Sequence, residues 1–279
     1  MKFLRVGSIN NEKPAIVDKD GKIRDLSSII PDLNTQTINQ NLIKNVEKIN
    51  LSNLPEFDKN IRVGACISRP EKFIGIGLNY LAHAKEADIK SPSEPIVFFK
   101  ANSSISGPYD DVCLPKNSLK TDWEVELGVI IGKKAKNISA NKSQEHIFGY
   151  CIVNDISERE YQLERSGGQW DKGKAFDTFG PIGPYIVTKD EVKDVQNLNL
   201  ILRVNNKVMQ DGNTQNMIFN VNYIVAYLSN FMTLKPGDII TTGTPPGVGM
   251  GKKPQVFLKS GYKMELIIDG LGSQNQKVK

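Results

Sequence analysis

From residue 61 onward the chain is punctuated rather than helically periodic. Apolar runs of strand length occupy Lys72–Ile76, Ile96–Lys100, Asp111–Leu114, Trp123–Ile131 and Ile147–Asn154. They continue through Ile182–Val187, Leu198–Val204, Lys207–Asp211, Asp238–Thr242 and Tyr262–Ile268. Turn residues part them at Gly107-Pro108, Gly132-Lys133, Gly180-Pro181, Asn205-Asn206, Pro236-Gly237 and Asp269-Gly270. One long helix stands out, Asn220 to about Met232, where Val221, Ile224, Val225, Leu228 and Met232 recur at helical spacing and Asn220 can cap. A shorter helix is expected over Tyr80–Ala87. Strands and helices do not alternate, so a doubly wound parallel sheet is excluded. The expected fold class is mostly β with α (α+β), a β-rich roll or distorted barrel with flanking helices.

The first 60 residues differ. Residues 2–27 alternate and turn at Asp20-Gly21, a hairpin signal, and residues 28–60 are polar with weak helical patterning around Ile38–Ile49. We therefore expect residues 1–60 as a small N-terminal domain and connector and 61–279 as the main domain. Hydrophobic content of 39% and charged content of 24% are those of a globular chain. A net charge of +5 with scattered lysines argues against nucleic acid or an acidic membrane as partner. No apolar stretch approaches the ~18 to 20 residues of a membrane span, and Met1–Asn10 lacks the apolar centre of a signal peptide. Cys66, Cys113 and Cys151 form no zinc or disulfide pattern; each lies beside apolar residues and reads as a buried thiol, so a cytoplasmic location is expected.

Two glycine-rich motifs fail as nucleotide sites. Gly75-Ile-Gly77-Leu-Asn-Tyr80 begins like a dinucleotide fingerprint but places Tyr80 at its third position. The loop Gly243–Lys253 has Pro246 and Lys253 where a phosphate loop needs glycine and a hydroxyl residue. Their backbone N–H groups would still suit an anionic small molecule.

The stretch Thr121-Asp-Trp-Glu-Val-Glu-Leu-Gly128 carries Glu124 and Glu126 two residues apart, hence on one face of a strand. The pattern leaves two readings open. The pair is a solvent-facing edge neutralised by Lys120 or Arg159, or it holds a cation together with Asp155, which ends the apolar run Tyr150–Val153. Three acidic oxygens suit a hard ion such as Mg²⁺ or Mn²⁺. Lys174, ahead of Gly180-Pro181, could face developing negative charge. His83 and Glu86 are three apart on the short helix, as a base and its orienting carboxylate would be.

Six segments together resemble the fumarylacetoacetate hydrolase family: residues 77–86 (GLNYLAHAKE), 98–104 (FFKANSS), 123–127 (WEVEL), 154–162 (NDISEREYQ), 169–184 (QWDKGKAFDTFGPIGP) and 234–249 (LKPGDIITTGTPPGVG). They occur in family order across residues 61–279. The resemblance implies a mixed β-sandwich roll, a homodimer, and Mg²⁺ or Mn²⁺ held by Glu124, Glu126 and Asp155. It further implies Lys174 beside the metal, a His83–Glu86 lid dyad, and Asn79, Tyr80, Arg159, Gln162 and Thr244 toward the substrate. Glu158 departs from the alanine of many members, and the lid Lys85–Pro95 is variable in such proteins. The implied reaction is hydrolysis of a C–C bond in a 2,4-dioxo acid, of acylpyruvate or diketo-deoxy sugar-acid type, through an enolate chelated by the metal, giving pyruvate and a carboxylic acid. The same scaffold serves decarboxylases, isomerases, tautomerases and ureidoglycolate lyase-like proteins; a metal-stabilised binding barrel is the non-enzymatic alternative.

Overall fold

The computed structural model describes residues 1–86 and 90–279. The C-terminal end of the expected helix Tyr80–Ala87 and part of the segment Lys85–Pro95 therefore lie outside the described residues. The architecture is an open mixed sheet packed against a smaller antiparallel one. The large sheet runs, edge to edge, through Ile23–Asp25, Lys13–Val17, Lys2–Val6, Gly180–Thr188, Ile147–Asn154, Val125–Ile131, Ile239–Thr241, Phe73–Gly77 and Ile96–Phe99, with Ile105–Ser106 pairing aside on Gly180–Thr188. Ile239–Thr241 lies parallel to Phe73–Gly77 and antiparallel to Val125–Ile131. The second sheet orders Lys207–Asn213, Asn199–Val204, Lys263–Ile268 and Gly272–Lys277.

Hydropathy pattern explains which strand goes where. Val125–Ile131 and Ile147–Asn154 are buried at every residue because both of their faces are covered, so they read as continuous apolar runs. Asn199–Val204 and Lys263–Ile268 alternate buried and half-exposed residues, as a sheet with one wet face must. Leu200, Leu202, Met264, Leu266 and Ile268 turn inward and meet Val125, Leu127, Val129, Tyr150 and Ile152 of the large sheet in one core. Trp123 fills its end, fully buried, with its indole N–H donating to Gly247 O at 3.2 Å.

The helix Val221–Phe231 forms where expected, and Asn220 caps it by accepting from Tyr223 N. In the N-terminal stretch Gln40–Glu47 is helical, capped by Asn39. The strands Lys13–Val17 and Ile23–Asp25 pair around Asp20-Gly21. Three expectations change. Asp111–Leu114 forms no strand, only an isolated bridge between Val112 and Val278. Gly272–Lys277 is a strand despite its polar sequence, because Gln274 and Gln276 point inward and spend their amides on backbone carbonyls of Ile152, Gly183 and Pro108. Cys113 is exposed; only Cys66 and Cys151 are buried thiols.

Candidate active site

The register of the central sheet builds the acidic cluster. Val125 lies opposite Asn154 and Glu126 opposite Val153, and Asp155 N donates to Glu124 O at 2.9 Å. The antiparallel register continues one step past Asn154 and so sets Asp155 opposite Glu124, and beyond it Ser157 pairs with Asp122. Ligand-capable oxygens of Glu124, Glu126 and Asp155 lie within 4.8 Å of one another. All three residues are buried, which removes the solvent-facing reading of the glutamate pair.

Three cations compensate the cluster unevenly. Lys174 Nζ donates to Glu124 Oε2 at 2.8 Å and Asp155 Oδ2 at 2.7 Å. Lys100 Nζ donates to Asp155 Oδ1 at 2.7 Å and to Lys174 O at 2.5 Å. Arg159 donates to Glu124 Oε1 at 2.7 Å, Asp122 Oδ2 at 2.9 Å and Gln162 Oε1 at 2.8 Å. Lys120, the other expected neutraliser, goes instead to Glu164. Glu126 has no cation partner among the described residues; it accepts from Thr241 Oγ1 at 2.5 Å and Gly243 N at 2.7 Å. Burial, reinforced by the charges of Asp155 and Glu124, pushes its carboxyl well above the usual range. Glu124 goes the other way: burial would raise it, but Lys174 and Arg159 hold it far below. Burial also works against the charge of Lys174, and Asp155 and Glu124 overcome it. Among the described residues Lys100, Arg159 and Lys174 are thus the Lys and Arg partners of Asp122, Glu124 and Asp155. A hard divalent cation fits this all-oxygen set.

The cluster lines a cavity open to solvent. Arg159, Gln162, Lys174, Thr244 and His83 line it with the three carboxylates. His83 is buried on the helix Leu81–Glu86, with Nδ1 3.4 Å from Glu86 Oε2, a loose contact in this conformation. Glu86 also accepts from Gly247 N at 2.9 Å, which ties the helix to the glycine-rich loop. Leu78, ahead of that helix, holds a left-handed φ of 52°, a strained turn beside the cavity.

Two of the expected substrate contacts stand behind the cavity wall. Asn79 donates to Phe219 O and Thr242 O and accepts from Phe219 N, so its amide joins three chain segments. Tyr80 is buried with no hydrogen-bond partner for its hydroxyl among the described residues, and burial keeps that hydroxyl protonated. The Thr244 hydroxyl donates to Val125 O and accepts from Gln210 Nε2. The glycine-rich loop also departs from expectation. Its N–H groups at Gly243, Gly247, Gly249 and Met250 serve the protein's own carboxylates, Glu126, Glu86 and Asp122, rather than a ligand anion. Sequence reasoning passed over Lys100 and Asp122. Both sit beside residues it singled out, in Phe98-Phe-Lys100 and Asp122-Trp123-Glu124, but only the tertiary fold pairs them.

The model of the fumarylacetoacetate (FAA) hydrolase C-terminal family matches residues 72–279, most of the chain and all of this site. The chain belongs to the fumarylacetoacetate hydrolase family. A protein of Burkholderia ambifaria (strain MC40-6), named "Putative hydrolase", is 55% identical over 280 residues, covering 100% of this chain and 99% of that protein. The solved structure of a fumarylacetoacetate hydrolase from psychrophilic Exiguobacterium antarcticum is 33% identical with a TM-score of 0.87, covering 100% of this chain and 99% of that one. The maleylpyruvate hydrolase of Sphingobium sp. SYK-6, solved with manganese(II) and pyruvate, is 28% identical with a TM-score of 0.83, covering 100% and 98%. Isomerases of 2-hydroxyhepta-2,4-diene-1,7-dioate share the fold of this family member as well. The family match spans the acidic triad, whose oxygens are close enough together to hold a metal ion.

Proposed function

We propose that this family member is a divalent-metal-dependent hydrolase that cleaves the C3–C4 bond of a 2,4-dioxo acid to pyruvate and a carboxylic acid. The observation that carries the reading is the convergence of three buried carboxylates, one of them without a cation partner among the described residues, on a cavity that also admits His83. Glu124, Glu126 and Asp155 would hold Mg²⁺ or Mn²⁺. Bound there, the ion supplies Lewis-acid polarisation of the 2-oxo acid. A structural relative solved with manganese(II) and pyruvate supports the choice of metal and product.

The remaining chemistry falls to side chains. His83, oriented by Glu86, takes a proton from a water molecule. The water oxygen bonds to C4, the C3–C4 bond breaks, and its electron pair stays on the pyruvate fragment as an enolate. Lys174 presents an ammonium to that developing charge in a site with little water. The proton held on His83 returns to C3. Arg159 and Gln162 hold the polar side of the cavity. A homodimer and a cytoplasmic setting belong to the same reading.

The test is pyruvate release from acylpyruvates, 2,4-diketo-3-deoxy sugar acids and oxaloacetate, with Mg²⁺ or Mn²⁺ and after chelation. We expect turnover of a dioxo acid, near-complete loss in Glu126→Ala together with lost metal binding, and a roughly 10²- to 10⁴-fold slower His83→Ala. Turnover of oxaloacetate alone would replace hydrolysis by decarboxylation. An unimpaired Glu126→Ala would remove the metal assignment.

A further inference from the structure

We infer that the substrate's distal group, beyond C4, is apolar and uncharged, and that Phe98 and Trp170 select it; the inference rests on the hydrolase reading above. Beside its charged and polar residues the cavity lining carries an apolar set, Ile76, Leu78, Phe98, Leu163, Trp170 and Met250. The apolar wall begins at the reactive end. The Phe98 ring centroid lies 4.9 Å from Lys174 Nζ, and the Trp170 ring follows at 5.8 Å from Phe98, tilted by 50°. A chain attached to the C4 carbon and leaving the Lys174 end would pass along these rings.

The backbone is shaped to seat them. Gly75 and Gly77 alternate on one face of the strand Phe73–Gly77. A Cβ on Gly75 would come within 2.2 Å of Phe98 Cζ, and one on Gly77 within 2.2 Å of Trp170 Cζ3. The Gly-x-Gly of the sequence is therefore a pair of slots for two aromatic rings, which accounts for a motif that fits no nucleotide.

The polar inventory points the same way. Arg159 and Lys174 are the cations among the described lining residues, and both are hydrogen-bonded to carboxylates. A distal carboxylate running along these rings would leave water and meet no unpaired Lys or Arg among the described lining residues. Pockets of this kind discriminate by about 10- to 100-fold.

The experiment compares valerylpyruvate, succinylpyruvate and a dihydroxylated acylpyruvate of similar length with the Mn²⁺-loaded protein. Calorimetry in parallel measures binding of 2-oxohexanoate and 2-oxoadipate, which lack the 4-oxo group needed for cleavage. We expect kcat/KM and affinity both to favour the apolar tail by about tenfold or more. In Trp170→Ala this preference should shrink toward unity, mainly through a higher KM for valerylpyruvate, and Trp170→Phe should restore part of it. Equal or better use of the carboxylated or hydroxylated tail overturns the inference, as does a preference unmoved in Trp170→Ala. If no dioxo acid is cleaved, the hydrolase reading falls, and the calorimetric order still decides for or against an apolar distal pocket.

Discussion

Lys100 shows how much of this site depends on residues that do not face the cavity. Its ammonium is fully buried and links the Asp155 carboxylate to the carbonyl of Lys174. Burial lowers its pKa, and the Asp155 charge opposes that shift. Removing one member of a buried ion pair leaves the other uncompensated, at about 3–5 kcal/mol. Lys100→Met should therefore unfold at clearly lower denaturant than wild type and lose order at Asp155 and Lys174. Unchanged denaturation and unchanged metal affinity would show that the bridge does nothing. Asp122 has a parallel part: one carboxylate accepts from Trp123 N, Gly249 N, Met250 N and Arg159 Nε. At this scale sequence carried the same-face placement of Glu124 and Glu126, which follows from strand geometry alone. Arg159 and Lys174 were candidates from the sequence, but Lys100 and the bond from Arg159 to Asp122 were out of reach. Lys100 meets Asp155 across 55 residues and Arg159 meets Asp122 across 37, distances that only the fold closes.

Between elements, the glycine-rich loop and the short helix Leu81–Glu86 behave as one piece. Gly247 takes a φ of +110° and approaches so closely that a Cβ would strike Met209 O at 2.0 Å. That conformation aims its N–H at Glu86. Burial would raise the Glu86 carboxyl, but hydrogen bonds from His83 and Gly247 outweigh it and hold the pKa below the ordinary value. A carboxyl depressed in this way favours the docked helix above its free pKa of about 4.3, and the contribution is lost as pH falls through the lowered one. Amide protection of residues 81–86 should accordingly drop on acidification below about pH 4.3 in wild type. Glu86→Gln should lack that pH dependence and show weaker protection at neutral pH. Hydrogen exchange with protection factors measured at each pH checks this, and a pH-independent wild type would refute it. The pairing of His83 and Glu86 was legible because residues three apart on the expected helix share a face. The tie of Glu86 to Gly247 was not, since nothing local signals where a loop N–H will point.

Across the whole molecule, sequence legibility followed burial. Strands covered on both faces announced themselves as apolar runs, and the capped helix Val221–Phe231 by its period. The strand Gly272–Lys277 stayed hidden because its inward residues are glutamines satisfied by distant carbonyls. The N-terminal residues pose the remaining question. We propose residues 1–60 as a leader unit added to a catalytic domain of 61–279. Its strand Lys2–Val6 pairs with Gly180–Thr188, so the leader extends the main sheet, and Phe3, Ile16, Leu33 and Leu42 cover Phe148, Val153 and Ile182 from one side. Every residue of the acidic cluster and its cations lies beyond residue 61. A fragment of 61–279 should thus keep its Mn²⁺ affinity within a few-fold in calorimetry. It should also melt roughly 5 °C or more below the full chain, because a sheet edge and an apolar face lose their cover. Equal melting temperatures would mean that the leader contributes no stability. Loss of Mn²⁺ binding by a fragment that remains folded would mean that the boundary at residue 60 cuts through the catalytic unit rather than beside it.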